Sequence, residues 1–89
     1  MIDFLEVSER IRTILHSQLK KEKIYDRDIA HALKLDPQYY AVIKKRKKVP
    51  YEAIALFCQQ HKVSMNWILF NQPPKLFDNK RINHHKTNE

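Results

Sequence analysis

The chain has 89 residues, a formal net charge of +7, one cysteine and no glycine. This length predicts one small domain, and the absence of Gly excludes the glycine-rich loops that cradle phosphates and dinucleotides. A lone Cys58 cannot form an internal disulfide, no apolar run reaches ~18 residues, and the N-terminus lacks a signal-peptide pattern. We therefore expect a cytoplasmic protein without a membrane partner.

The positive charge is concentrated in one segment. Lys44–Lys48, which we call the basic run, carries five cationic side chains and no anionic one, whereas residues 73–89 add a net +2 and the remainder sums to zero. Charge runs are usually solvated faces. This one stands within the predicted folded region, where like charges repel each other, and a nearby phosphate backbone would relieve that repulsion. We therefore expect the basic run to bind nucleic-acid phosphates.

Two helices are predicted before the middle of the chain. The first begins at Asp3, a favoured N-cap residue, and its apolar stripe continues to Leu19. Residues 20–23 are predicted to be its solvated end, with phosphate contact as the alternative. The second helix runs from Asp26, taken as its cap, to about Lys34. Its small Ala30 is expected to let the next helix cross closely.

The third helix is predicted from Asp36-Pro37 to about Lys44, because Asp favours the N-cap and Pro the first helical position. Tyr40 and Ile43 share a face that should point inward. The side chains of Gln38, Tyr39 and Val42 are then expected to face outward. The alternatives are that Gln38 is an ordinary surface residue and that both tyrosines are half-buried.

Two more helices are predicted in the second half of the chain. The fourth takes Pro50 as its first residue, buries Ile54, Phe57 and Cys58, and ends near His61. A catalytic or metal-binding role for Cys58 is disfavoured, since it lacks partners.

Ser64 is predicted to cap the fifth helix, in which Trp67, Ile68 and Phe70 exceed what one small core needs. We expect these three residues to form a dimer interface, with core packing as the alternative.

The chain divides into a domain over residues 1–72 and a polar tail over residues 73–89 that we predict to be mobile. The only sizeable apolar pair in the tail, Leu76-Phe77, is a candidate for docking back on the domain. The adjacent His84 and His85 are interpreted as polar tail residues rather than as metal ligands.

Four spaced blocks carry a resemblance to a known family. They are the run DIAHALKL (residues 28–35), the spacing of Tyr40 and Ile43, the step from Arg46 to Val49-Pro50, and VSMNWIL (residues 63–69). Together they resemble the helix-turn-helix domain of the lambda-repressor-like (Xre) superfamily, closest to short bacteriophage CI-type repressors. The chain departs from the family pattern at Lys34, where the family has Gly, and at Ile43, where it has Trp.

The resemblance implies an all-α, compact five-helix DNA-binding domain whose helix-turn-helix is formed by helices 2 and 3. Two sets of contacts follow from it and from the charge pattern. The implied base contacts are Pro37, Gln38, Tyr39 and Val42. The implied phosphate contacts are Arg27, Lys44, Lys45, Arg46, Lys47 and Lys48.

The leading hypothesis is a sequence-specific transcriptional regulator, a phage-type or prophage-derived repressor in the bacterial nucleoid, which binds double-stranded DNA as a homodimer on a near-palindromic operator. The alternative is an antitoxin-like or adaptor module whose basic run and fifth helix bind a protein. An enzyme is not expected, because no nucleophile stands with a base and an orienting group. No cofactor, metal or small-molecule substrate is expected either.

Overall fold

The computed structural model describes residues 2–76. Five helices follow one another in this range: α1 (Phe4–Leu19), α2 (Asp26–Ala32), α3 (Pro37–Lys45), α4 (Tyr51–His61) and α5 (Met65–Phe70). The same residues contain no strand, only an isolated antiparallel bridge between Val63 and Leu76. The predicted all-α class with five helices is therefore confirmed for this part of the chain.

Three helices begin at the capping side chains that the sequence predicted. Asp3 and Asp36 each accept a hydrogen bond from the backbone N–H two residues further on, at 2.9 Å in both cases. Ser64 Oγ accepts from the N–H three residues on, at 3.3 Å. Each bond satisfies one N–H that has no partner within its helix.

The predicted capping positions of the other two helices were each wrong by one residue. Asp26 is not the cap of α2, because Tyr25 holds that position and donates its backbone N–H to the Asp28 carboxylate at 2.8 Å. Asp26 instead lies in the first turn, where it binds side chains of other helices. Pro50 is the cap of α4 rather than its first helical residue, since its ψ of 81° lies outside the helical region.

Each of the five helices is followed within two residues by a residue with a left-handed backbone, and none of these residues is glycine. They are Lys20, Lys34, Lys47, Lys62 and Asn71, with φ between 56° and 59°. One of them, Lys34, stands at the position where the family pattern has Gly. A residue with a Cβ adopts this conformation at a cost of roughly 1–2 kcal/mol, which glycine avoids.

Replacing Lys62 with Gly is therefore expected to raise the free energy of unfolding by about 1 kcal/mol. Urea denaturation of the purified chain measures this change. Lys62→Ala is the matched control, because it removes the same charge but keeps the Cβ, and it should give no such gain. Equal stabilisation by both variants would assign the effect to charge instead.

The core is a single cluster to which every helix contributes. α1 packs on α2 and α5, α2 also packs on α3, and α4 packs on α5. The Phe4 and Tyr40 rings meet with their centroids 5.7 Å apart, which joins α1 to α3. Ala30 is completely buried, as expected. Ile24 and Val63, which lie between helices and were not predicted as core, are also buried.

The chain turns back after α5. The backbone N–H of Ser64 donates to the Lys75 carbonyl at 3.0 Å, and Leu76 bridges Val63. The folded part therefore includes the first four residues of the predicted tail. Phe77, His84 and His85 lie outside the described residues. Within residues 2–76, no helix has both the length and the apolarity needed to cross a membrane.

Candidate functional site

The first two turns of α3 present polar and apolar side chains to solvent. Gln38, Tyr39 and Val42 are exposed, and Tyr39 exposes 54% of its surface. Pro37 is also exposed at the start of the helix. Spacings of three and four residues place Val42 beside both Tyr39 and Gln38 on the helix surface. The four predicted base-contacting residues thus lie together on one accessible surface.

The basic run follows directly on α3 and is held in a defined turn rather than a flexible loop. The N–H groups of Lys47 and Lys48 donate to the carbonyls of Lys44 and Ile43 at 3.1 and 2.9 Å. This pair of bonds, with Lys47 in the left-handed region, is the Schellman arrangement that closes a helix end.

Four side chains of the basic run, Lys45 to Lys48, are exposed cations without an acidic neighbour. Within the part of the chain that the structure describes, no carboxylate oxygen lies within 4.0 Å of their charged nitrogens. The chain also has no acidic residue between Asp36 and Glu52. This surface therefore carries concentrated positive charge with no internal compensation.

Lys44 differs from the other cations of the basic run. Only a third of its side chain is exposed, and its Nζ lies 2.7 Å from Asp26 Oδ2. The other oxygen of Asp26 accepts from Arg12 at 3.1 Å. Asp26 thereby joins α1, α2 and α3. The ammonium of Lys44, followed by the guanidinium of Arg12, lowers the pKa of Asp26, while partial burial opposes this shift.

The predicted phosphate contact Arg27 lies beside this junction. Its guanidinium carbon is 5.3 Å from the centre of the exposed Tyr25 ring, and Lys23 Nζ is 5.4 Å from the same centre. Cation–π contact restricts the orientation of such side chains. Because Asp26 contacts Lys44, the first turn of α2, in which Arg27 follows Asp26, lies next to the last turn of α3.

The adjacent tyrosines of α3 divide as predicted, since Tyr39 is exposed and Tyr40 is buried. The Tyr40 hydroxyl is buried without a hydrogen-bond partner among the described residues. Burial, followed by the negative charge of Asp26, raises the pKa of Tyr40 to about 12. The neighbouring Ser8 hydroxyl, which donates its own hydrogen bond to the Leu5 carbonyl, opposes this shift without meeting hydrogen-bond geometry to Tyr40. A buried polar group without a partner costs stability.

Tyr40→Phe is therefore expected to raise the free energy of unfolding by about 1 kcal/mol, since it removes an unpaired buried hydroxyl and keeps the ring. Thermal and urea unfolding measure the change. Tyr39→Phe is the matched control, and it should leave stability unchanged because its hydroxyl is in water. A loss of stability in Tyr40→Phe would mean that the hydroxyl makes a favourable bond.

One predicted dimer residue is corrected by the structure. Ile68 has no exposed surface and belongs to the core, so it cannot contact a second chain. Its backbone carbonyl accepts from Arg10 of α1 at 2.8 Å, which fixes α5 on α1. Trp67 is half-buried, with Lys75 Nζ 5.1 Å from its ring centre. Phe70 is exposed and therefore remains accessible to a second chain.

An apolar groove beside α4 was not anticipated from the sequence. It has a volume of about 430 Å³ and lies between the α2–α3 connection and α4, with Leu33, Leu35, Tyr51 and Leu56 in its walls. Leu56 exposes 56% of its surface. The signal was present, because Leu56 lies two residues from Ile54 and so falls outside the buried stripe of α4.

Cys58 and His61 are structural residues of α4. Cys58 is buried in the core, and this burial raises the pKa of its thiol to about 11, which disfavours the reactive thiolate. The His61 ring stacks on Phe57 with centroids 4.3 Å apart and contacts Gln18 of α1. Within residues 2–76, no three His, Cys, Asp or Glu side chains come together as a metal site.

Comparisons with protein-family models, with curated proteins and with solved structures find no match to this chain.

Proposed function

We propose that this protein is a sequence-specific DNA-binding regulator that uses α3 and the basic run as its DNA interface. The observation that carries the proposal is their adjacency. An exposed helix face with an amide, a phenol and a methyl-bearing side chain runs directly into four uncompensated cations. Phosphate contacts would supply affinity, and the helix face would supply sequence preference.

The geometry of α2 and α3 supports a helix-turn-helix. Only residues 33–36 separate the two helices, and Lys34 has the positive φ of a tight turn. The start of the second helix of this motif enters the major groove. Gln38 would then face base edges, where an amide pairs with adenine N6 and N7, and Val42 would contact a thymine methyl.

The regulator would act as a homodimer on a near-palindromic operator and repress transcription by blocking the polymerase. Phe70 and the exposed part of Trp67 are the residues of α5 available to such an interface. Two recognition helices about 34 Å apart would meet successive major grooves. Repression rather than activation follows from the family resemblance.

Salt-dependent DNA binding tests the proposal. The affinity of the wild-type chain for a mixed-sequence duplex should fall steeply as salt rises, by roughly 0.9 in log K per unit of log salt for each phosphate contact. Selection of sites from random DNA, with a mass measurement of the complex, should yield a palindromic motif bound by two chains. Weak, salt-insensitive binding would reject the DNA interface.

The groove beside α4 favours a second candidate, a module that binds an acidic protein through the basic run. The exposed Leu56 in that groove offers apolar contact of the kind used between proteins. Absence of duplex binding, together with capture of an acidic partner that Leu56→Ser releases, would favour this function. Competition between duplex DNA and RNA for the chain distinguishes a DNA-binding role from an RNA-binding role.

A further inference from the structure

Asp26 is the one carboxylate in residues 2–76 that contacts the basic run, and it does so at a single point. Its two oxygens hold Lys44 at 2.7 Å and Arg12 at 3.1 Å. Arg12 is itself anchored, because it also donates to the Ile24 carbonyl and to Glu9. The contact with Lys44 therefore belongs to a network that joins three helices.

We propose that Asp26 is a positioning residue that holds Lys44 against the junction of α1 and α2 and keeps it out of the phosphate contacts. This inference rests on the proposed DNA-binding function. It divides the basic run into Lys45–Lys48, which bind the DNA backbone, and Lys44, which fixes the last turn of α3.

Charge compensation explains the division. A lysine that leaves a carboxylate for a phosphate only exchanges one anion for another, and the abandoned carboxylate then lies near the DNA backbone. Lys45 loses no such partner when it binds, because no carboxylate within residues 2–76 pairs with it. A single exposed ion pair is weak. Here one carboxylate bonds two cations from two different helices, which makes the arrangement more persistent than an isolated pair.

The anchoring of α3 follows from the same contact. Tyr40 packs the middle of α3 on Phe4, and Lys44 ties its end to Asp26. Two attachments on one helix restrict its rotation relative to α1 and α2. The direction in which Gln38 and Val42 would face the major groove of DNA therefore depends in part on Asp26, although Asp26 itself would touch no base.

The test compares two neighbouring lysines that carry the same charge. The affinity of Lys44→Gln, Lys45→Gln and Asp26→Asn for one mixed-sequence duplex is measured as a function of salt, beside the wild type. Lys45→Gln should make the slope of log K against log salt shallower by roughly 0.9 per protomer. Lys44→Gln should leave the slope unchanged. Asp26→Asn should make it steeper by up to roughly 0.9, since the released Lys44 gains a phosphate.

Equal loss of slope in Lys44→Gln and Lys45→Gln would overturn the proposal, as would an unchanged slope in Asp26→Asn. Circular dichroism establishes that each variant is folded. If Asp26→Asn does not fold, the comparison of the two lysine variants decides alone. Failure of the wild type to bind DNA would be a different result, because it rejects the proposed function itself.

Discussion

Replacing Lys45 and Arg46 together with Gln is expected to weaken binding to every DNA duplex by roughly 60-fold per protomer at about 0.1 M salt. Each lost phosphate contact removes roughly 0.9 units from the slope of log K against log salt, which is close to eightfold at that concentration. Both side chains are exposed and lie in an acid-free segment that the Schellman turn holds in place. Titration of a labelled duplex at several salt concentrations measures affinity and slope together.

The matched control removes the same two charges elsewhere. Lys20 and Lys62 are exposed and follow the ends of α1 and α4, outside the proposed interface. Their double replacement by Gln lowers the net charge equally but should leave the slope almost unchanged, because distant charges are screened. If both double variants lost the same affinity, net charge rather than a localised contact would account for binding.

Local sequence signals were sufficient to predict where most helices lie. Capping residues such as Asp36 and Ser64 act on N–H groups two or three positions away, so the sequence contains both partners. The tertiary role of Asp26 could not be predicted in this way. Its partners, Arg12 and Lys44, lie 14 and 18 residues away, and no local pattern indicates which carboxylate a distant cation will contact. The buried Ile24 in the α1–α2 connection was missed for the same reason.

The candidate site was predicted unevenly. Helical spacing separated Tyr39 from Tyr40 and placed Gln38 and Val42 outside, since a nine-residue helix has enough turns to define its faces. The six residues of α5 form too few turns to define its faces. Ile68 was therefore assigned to the surface, although it is buried. Charge counting located the basic run. It could not distinguish Lys44 from its neighbours, because that distinction depends on one tertiary contact.

Gln38→Ala is expected to reduce the preference for the selected operator over random DNA by about 1–3 kcal/mol per half-site, and by twice that for a symmetric dimer. Gln38 is exposed in the first turn of α3, where its amide can pair with one adenine, and alanine can make no such pair. Binding to random duplex should not change, because the proposed phosphate contacts are made by other residues. Competition titration of operator against random DNA measures the ratio of the two affinities.

Gln59→Ala is the control for Gln38→Ala, since Gln59 is an exposed amide on α4, outside the proposed DNA interface. This variant should change neither the affinity for the operator nor the affinity for random DNA. Selection of sites with the Gln38→Ala chain adds a positional test, because the motif should lose its preference at one base pair in each half-site and keep the others. An equal loss on operator and random DNA would mean that Gln38 contacts the backbone or maintains the fold. Sequence preference would then have to come from Tyr39, Val42 and the deformability of the operator.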